Sequence, residues 1–316
     1  MVITTRDLAP EDAESVAALM ARIEVDHPTG FCLGPVEIVE IMDGHGDAVF
    51  EGAFDGEDLV AYTTVMAAEP GEDGQKLFLY GDVDPRRLGG GLGTLMLTRS
   101  IDRARAMHAE AAPGVPARFA ATALAGRADQ ADLMVLAGLH PGRHGFLMVA
   151  DLRDRLARAP LPDDVTVGPF DPAASEELRQ AHLTAFADYP DFAGMSEEFW
   201  EMFMMTAAHA RHGLSAVARD REGAVAAYVL THEYAVPPSG GPGPELHVPY
   251  VGTVPAHRGR GLATGLLSRV LHGAREAGYP TASLNVDTEN PTGALGIYER
   301  AGFRQSYRQD FYHLDE

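Results

Sequence analysis

Between Pro255 and Ala263 the chain reads Pro255-Ala256-His257-Arg258-Gly259-Arg260-Gly261-Leu262-Ala263, with an apolar strand pattern before it and an amphipathic helix pattern after it. Small residues at 259, 261 and 263 let a backbone approach a ligand closely. The helix that begins there aims unpaired N–H groups and the positive end of its dipole at the same point. Together these make a pyrophosphate site in physical terms. The stretch is not a Walker loop, because no Gly-Lys-Ser/Thr follows, and the third glycine of a dinucleotide fingerprint is replaced by Thr264. Taken alone, it reads equally well as a glycine-rich turn into a helix. A stretch of the same kind, Pro85-Arg86-Arg87-Leu88-Gly89-Gly90-Gly91-Leu92-Gly93, lies 170 residues earlier. Metal chemistry finds no support. Cys32 is the single cysteine, and His209 and His212, spaced for one helical face, have no third ligand nearby.

A glycine stretch of this kind needs a strand to deliver it and a helix to leave from it, and the chain supplies that setting twice. Val2-Ile3-Thr4 followed by Pro10, Glu11 and Asp12 predicts a strand, a turn and a helix opening on proline and acids. Val165-Thr166-Val167 followed by Pro172, Glu176 and Glu177 repeats that order, and Asp26-His27-Pro28 is answered by Asp188-Tyr189-Pro190. In the second copy, strand patterns fall within 216–231, at Leu246 to Thr253 and at Ala282 to Val286. A helix from Leu262 to Ala277 carries Leu266, Leu267, Val270 and Leu271 on one face until Gly278 stops it. The expectation is two α+β copies: an N-terminal domain over 1–151, a linker rich in Arg, Pro and Asp over 152–163, and a C-terminal domain over 164–316.

Composition bounds the partners. With 316 residues, 46% hydrophobic and 22% charged, both copies can bury a core. The formal charge of −21, shared by both halves, argues against nucleic acid, which needs a basic stripe. No apolar run approaches the roughly 20 residues of a membrane span, and no signal peptide is visible, so a soluble cytoplasmic protein is expected.

Further on, Leu284-Asn285-Val286 runs into Asp287-Thr288-Glu289-Asn290, then a helix pattern with Ala294 and Tyr298, then Gly302-Phe303. Arg258, Gly261 and Ala263 match an Arg/Gln-x-x-Gly-x-Gly/Ala loop, and Val286, Asn290, Ala294, Tyr298, Gly302 and Phe303 a second signature in the right order. On these two signatures the chain from about 165 onward resembles the GNAT N-acetyltransferase superfamily. The first copy resembles it more weakly, which makes the whole similar to tandem GNAT proteins such as mycothiol synthase and the tandem acetyltransferases of antibiotic gene clusters. The resemblance implies that each copy is a mixed, mostly antiparallel central sheet flanked by helices. It implies an acetyl-CoA-dependent transfer to a small-molecule primary amine by direct attack on the thioester, with coenzyme A as product. Two alternatives stand beside it: transfer to a cysteinyl amine, as in mycothiol synthase, and a non-catalytic acyl-CoA-binding regulatory protein. A monomer or weak homodimer is expected.

The resemblance also assigns roles. Tyr298 would protonate the departing sulfur. Val251 and Thr253 would bind the pantetheine arm, with the Val251 N–H holding the oxyanion. Arg258, Gly259, Arg260, Gly261, Leu262, Ala263 and Asn290 would complete the cofactor contacts. The base falls to His247, to Glu245 or to water; strand alternation puts Glu245 and His247 on one face, and His247 would make the rate rise through a pKa near neutrality. Against that stands an ordinary histidine at a strand end. Asp188 to Phe192, Glu197, Glu198 and Trp200 would line the acceptor side, steering and covering an ammonium, or form an ordinary acidic surface. The first copy keeps Gly89, Gly91 and Gly93 as a candidate second coenzyme A site. It has Leu88 at the arginine position, Met134 at the tyrosine and Leu77 at the base, so it is expected to be catalytically silent.

Overall fold

Period-two apolar patterns become strands and the stripes of period 3.6 become helices. The computed structural model describes residues 2–27, 32–44, 48–71, 74–189, 192, 194–288 and 293–316. In chain order the first elements are β1 (Ile3–Asp7), α1 (Ala13–Asp26), α2 (Pro35–Gly44), β2 (Ala48–Asp55), β3 (Asp58–Ala67), β4 (Gln75–Val83), α3 (Leu92–Ala111), β5 (Ala117–Leu124), α4 (Ala128–Leu136) and β6 (His140–Asp151). Then follow β7 (Thr166–Pro169), α5 (Ser175–Phe186), α6 (Glu197–Trp200), β8 (Ala216–Arg219), β9 (Val225–His232), β10 (Glu245–Thr253), α7 (Leu262–Glu276), β11 (Thr281–Asp287), α8 (Ala294–Ala301) and β12 (Arg304–Asp315).

The chain forms two compact units, of which the second is continuous in sequence and the first is not. One is Met1–Gly145 with Arg308–Glu316; the other is Phe146–Tyr307. In the first unit the strand order is β1-β2-β3-β4-β5, followed by β12; in the second it is β7-β8-β9-β10-β11, followed by β6. The division at 151 and 164 read from the sequence therefore differs from the structure. Strand β12 pairs antiparallel with β5, from Gln309 opposite Leu124 to Asp315 opposite Arg118. The segment 152–163 is not a free linker either. Leu152 and Leu156 are buried in the second unit's core, and Ser268 Oγ on α7 donates to the Ala157 carbonyl. Arg and Pro there signalled a boundary; the leucines between them do the packing.

Both units are mixed sheets; among the pairings described, antiparallel ones dominate, and β4 beside β5 and β10 beside β11 are parallel. The α+β expectation holds. In the second unit α7 lies on one face, where Leu246, Val248, Leu266, Leu267, Val270 and Leu284 form the core. The other face carries Leu178 of α5 with Trp200, Tyr228 and Leu230. Leu266 and Leu267 have no exposed surface, and truncating either would cost about 2–5 kcal/mol. Gly278, at φ 94°, ends α7 as expected; Tyr279 N–H reaches back to the Ala274 carbonyl at 3.0 Å and closes the cap.

Two features of β10 shape the site. Between the pairs His247–His232 and Tyr250–Leu230, β10 spends one residue more than β9, which is a β-bulge at Pro249. Proline lacks the N–H that a regular ladder would need there. Beyond Val248, opposite Leu284, no further pairing of β10 with β11 occurs. The two parallel strands therefore splay apart, leaving the edge of β10 from Pro249 to Thr253 open on that side.

Candidate active site

The open edge presents donors. Val254 N–H bonds to the Ala226 carbonyl of β9 at 3.0 Å, so strand alternation turns the N–H groups of Val251 and Thr253 the other way, into the splay. These are the two residues read from the sequence as holding a pantetheine arm. Val251 also packs against the apolar cluster that contains Tyr298.

At the far end of the splay the chain turns through the glycine stretch into α7. Gly259 and Gly261 sit at φ 75° and 80°, the left-handed region that other residues enter at a cost of roughly 1–2 kcal/mol. A Cβ at either would meet nothing within 4 Å, so the space over the loop is open. The first helical bond of α7 runs from Gly265 N–H to the Gly261 carbonyl at 2.9 Å. The N–H groups of Leu262, Ala263 and Thr264 therefore have no partner inside the helix. Open space, a left-handed alternation and three free donors fit a pyrophosphate.

The arginine side chains of this loop do something else. Arg258 grips Asp188 through both terminal nitrogens, at 2.5 and 2.9 Å, and also donates to the carbonyls of Ala185 and Thr253. It fastens the loop to the end of α5. Arg260 holds Asp164 at 2.5 Å and touches His257 Nδ1. Their charges are already answered, which leaves the main chain rather than these side chains unspent at positions 258 and 260. The same pairing occupies Asp188, which had been expected to steer an ammonium. Trp200, expected to cover the acceptor, is 1% exposed and donates to Ser175 Oγ at 3.0 Å, a core role. Glu197 and Glu198 are exposed. Asn290, Pro190 and Asp191 lie outside the described residues.

Tyr298 is buried on α8, its ring edge-on to Phe303. Burial pushes its phenol up to about 12. Among the described residues its hydroxyl has no hydrogen-bond partner. A buried phenol whose hydroxyl is unspent among the described residues is poised to donate to something that enters.

At the apex of the splay the candidate bases diverge. Glu245 is 1% exposed and its carboxylate is fully used: it accepts from Ser239 N–H at 3.1 Å, from Ser239 Oγ at 2.5 Å and from Thr281 Oγ1 at 3.0 Å. It anchors the 239–241 loop. His247 shares its face, as alternation required, and its Nδ1 sits 3.0 Å from Ser283 Oγ of β11. Burial pushes the imidazole down to about 4, so it is neutral at pH 7 and does not titrate near neutrality as expected. Beside it, Tyr234 joins His232 and His209, whose rings lie 4.5 Å apart. His209 Nε2 faces the Phe203 carbonyl and must donate, leaving Nδ1 bare and buried. Among the described residues, no group of three or more His, Cys, Asp or Glu is placed to hold a metal.

Sequence reasoning missed the support beneath the bulge. Tyr228, on β9, lies across Gly252, where a Cβ would come within 2.3 Å of its ring. Its hydroxyl meets His182 Nδ1 of α5 at 2.5 Å, and His182 is fully buried. Pro249 inside a strand pattern was the available signal for the bulge; nothing local marked the Tyr228–His182 pair.

The first unit repeats the loop geometry. Gly89 and Gly91 take φ 77° and 82° over open space, and α3 starts with Leu95 N–H on the Gly91 carbonyl at 3.0 Å. Leu77 is a fully buried core residue, and Met134 packs beside the core.

Comparisons with known proteins bear on this site. Residues 175–303 match the model of the acetyltransferase (GNAT) family. Over 99% of its length the chain superposes on 95% of a GCN5-related N-acetyltransferase from Sphaerobacter thermophilus, with TM-score 0.74 and 25% identity. It covers 98% of a tandem GNAT protein from the clavulanic acid biosynthesis pathway, again over 99% of its own length, with TM-score 0.74 and 16% identity. A glucosamine N-acetyltransferase region of a fungal multi-domain β-N-acetylglucosaminidase superposes with TM-score 0.68 at 15% identity, over 99% of this chain and 38% of that one. No curated protein sequence matches the chain.

Proposed function

We propose, on the match of residues 175–303 to the acetyltransferase (GNAT) family model, that the second unit moves the acetyl group of acetyl-CoA to a small-molecule primary amine. The observation that carries the reading is the coincidence along one splay of open main-chain donors at Val251 and Thr253, the open glycine loop, and the unspent Tyr298 hydroxyl. Acetyl-CoA supplies the thioester. The N–H groups from Gly259 to Thr264 would hold the pyrophosphate, and those of Val251 and Thr253 the arm.

The remaining chemistry belongs to the chain. As the amine nitrogen bonds to the carbonyl carbon, negative charge gathers on oxygen, and the Val251 N–H would donate a hydrogen bond to that oxygen. The C–S electron pair leaves on sulfur, toward which Tyr298 donates. The amine proton leaves through His247 Nε2 or through water. Glu245 is spent on Ser239 and Thr281, and it positions rather than reacts. A low imidazole pKa keeps His247 neutral and ready to accept, at the price of weak basicity. The acidic chain favours a small acceptor over nucleic acid; among the described residues no helix is long and apolar enough to cross a membrane, and we place its work in the cytoplasm as a monomer or weak homodimer.

The test is thiol release from acetyl-CoA across a panel of amines. Release that depends on an amine and yields its N-acetyl product supports the reading. Coenzyme A binding without transfer to any amine would turn it into an acyl-CoA-binding regulator.

A further inference from the structure

The first unit has the same splay as the second, and its own side chains cross it. Strand β4 pairs with β5 only from Gln75 opposite Ala117 to Leu79 opposite Ala121. Beyond that the two strands part. Asp84 N–H bonds to the Val60 carbonyl of β3 at 2.9 Å, so the neighbouring Val83 N–H points into the gap, as Thr253 does in the second unit. On the other side, Ala125 N–H bonds to the Arg308 carbonyl of the completing strand at 2.9 Å, so Leu124 N–H also points into the gap.

Both donors are taken. Asp82 Oδ1 accepts from Val83 N–H at 2.8 Å. Gln130 Oε1 accepts from Leu124 N–H at 3.2 Å, and Gln130 Nε2 donates to Asp82 Oδ2 at 3.3 Å. One carboxylate and one carboxamide thus form a continuous bridge between the strands, satisfying the donors an extended amide-bearing arm would need. The second unit lacks both groups. Gly252, immediately before Thr253, stands where Asp82 precedes Val83. Ala294, four residues before Tyr298, stands where Gln130 precedes Met134 by the same interval.

We propose that the Asp82–Gln130 bridge closes the first unit to acyl-CoA, so that these two residues decide which of two similar glycine loops receives the cofactor. The loop at Gly89–Gly91 keeps its shape, but the arm has no edge to lie against. An arm that entered would have to displace two side chains already hydrogen-bonded to the strands it needs.

This rests on the reading of the second unit as the acyl-CoA site, and calorimetry with coenzyme A on the full chain separates the two. The expected stoichiometry of the native chain is one, and Gly261→Glu should reduce it to none. In that Gly261→Glu background, Asp82→Gly with Gln130→Ala should restore one site, at least about tenfold tighter than the weakest binding calorimetry detects; Gln130→Ala alone should restore it in part. Circular dichroism and thermal melting confirm that each variant is folded. Two sites in the native chain, one surviving in Gly261→Glu, or no gain in the folded opened variant would overturn the proposal. A native chain that binds no coenzyme A would instead overturn the reading of the second unit, and this proposal with it.

Discussion

Replacing Tyr298 with phenylalanine removes one oxygen and leaves the ring against Phe303. That oxygen has no protein partner among the described residues, so its loss strands no buried donor and opens no cavity. Stability should change by less than about 0.5 kcal/mol. The catalytic loss can be bounded from the structure. Burial holds the phenol at about 12, whereas a thiol of the cysteine type ionises near 8.5. Full transfer of the proton to a free thiolate would be uphill by about 3.5 units, or roughly 5 kcal/mol at ~1.36 kcal/mol per unit. The hydroxyl therefore acts as a hydrogen-bond donor to the sulfur while charge develops, without giving up its proton in that step. A bond to a charged group is worth about 1.5–3 kcal/mol, which predicts a fall in kcat of about 10- to 150-fold. Single-turnover thiol release measures the chemical step, and calorimetry measures coenzyme A affinity, which should stay within about twofold. A variant with native turnover would refute the reasoning, as would one whose rate loss equals its loss of affinity.

Arg258→Ala should weaken coenzyme A binding several-fold by freeing the loop from α5, and Asp188→Asn should do much the same; if Asp188→Asn binds normally, the arginine acts through its charge instead. Gly261→Ala, with no neighbour within 4 Å of its Cβ, should lose only the backbone term of about 1–2 kcal/mol in thermal stability, and a larger loss would mean an unseen clash. The kcat profile should show no inflection near pH 6.5 from His247; an inflection there that disappears in His247→Ala would contradict its low pKa. Finally, His182, His209 and His247 are pushed down to about 4 by burial, and burial pushes His232 well down too. Unfolded histidine titrates near 6.5, so the unfolded chain takes up protons first, and the stability these residues confer is full above about pH 6.5 and drains toward pH 4. Melting temperature measured from pH 7.5 to 4.5 should drop steeply below 6.5; a flat trace to pH 5 would count against four neutral buried imidazoles.

What could be read from the sequence was what is local. The glycine loops and the Gly278 stop depend on residues within a turn of each other and formed as expected, whereas Pro10 and Pro172 open single 3-10 turns that lead into α1 and α5. The internal repeat disclosed two similar folds because strand and helix signals recur in the same order. What could not be read depends on partners far apart in sequence. Arg258 looked like a free cation until Asp188, 70 residues away, proved to hold it. Glu245 looked available as a base, and only the return of the chain at Thr281 and the 239–241 loop showed that it is spent. His247 looked like a neutral-range base because nothing in a strand pattern states how deeply that strand is buried. The completing strands were invisible for the same reason: β12 carries no mark of which sheet it joins.

That last feature has a consequence for how the protein can be made. The first unit needs residues 308–316 as the strand beside β5, so it cannot finish folding when its own first 145 residues leave the ribosome. Until the chain is more than 300 residues long, β5 waits with an unsatisfied edge, open to pairing with other nascent chains. The second unit has the opposite schedule, since its outermost strand is already waiting when synthesis of the rest begins. A gene cut at the sequence repeat would leave each fragment without one strand of its own unit and with one that belongs to the other, and coexpression of the two pieces, rather than either alone, is the arrangement under which both sheets can close.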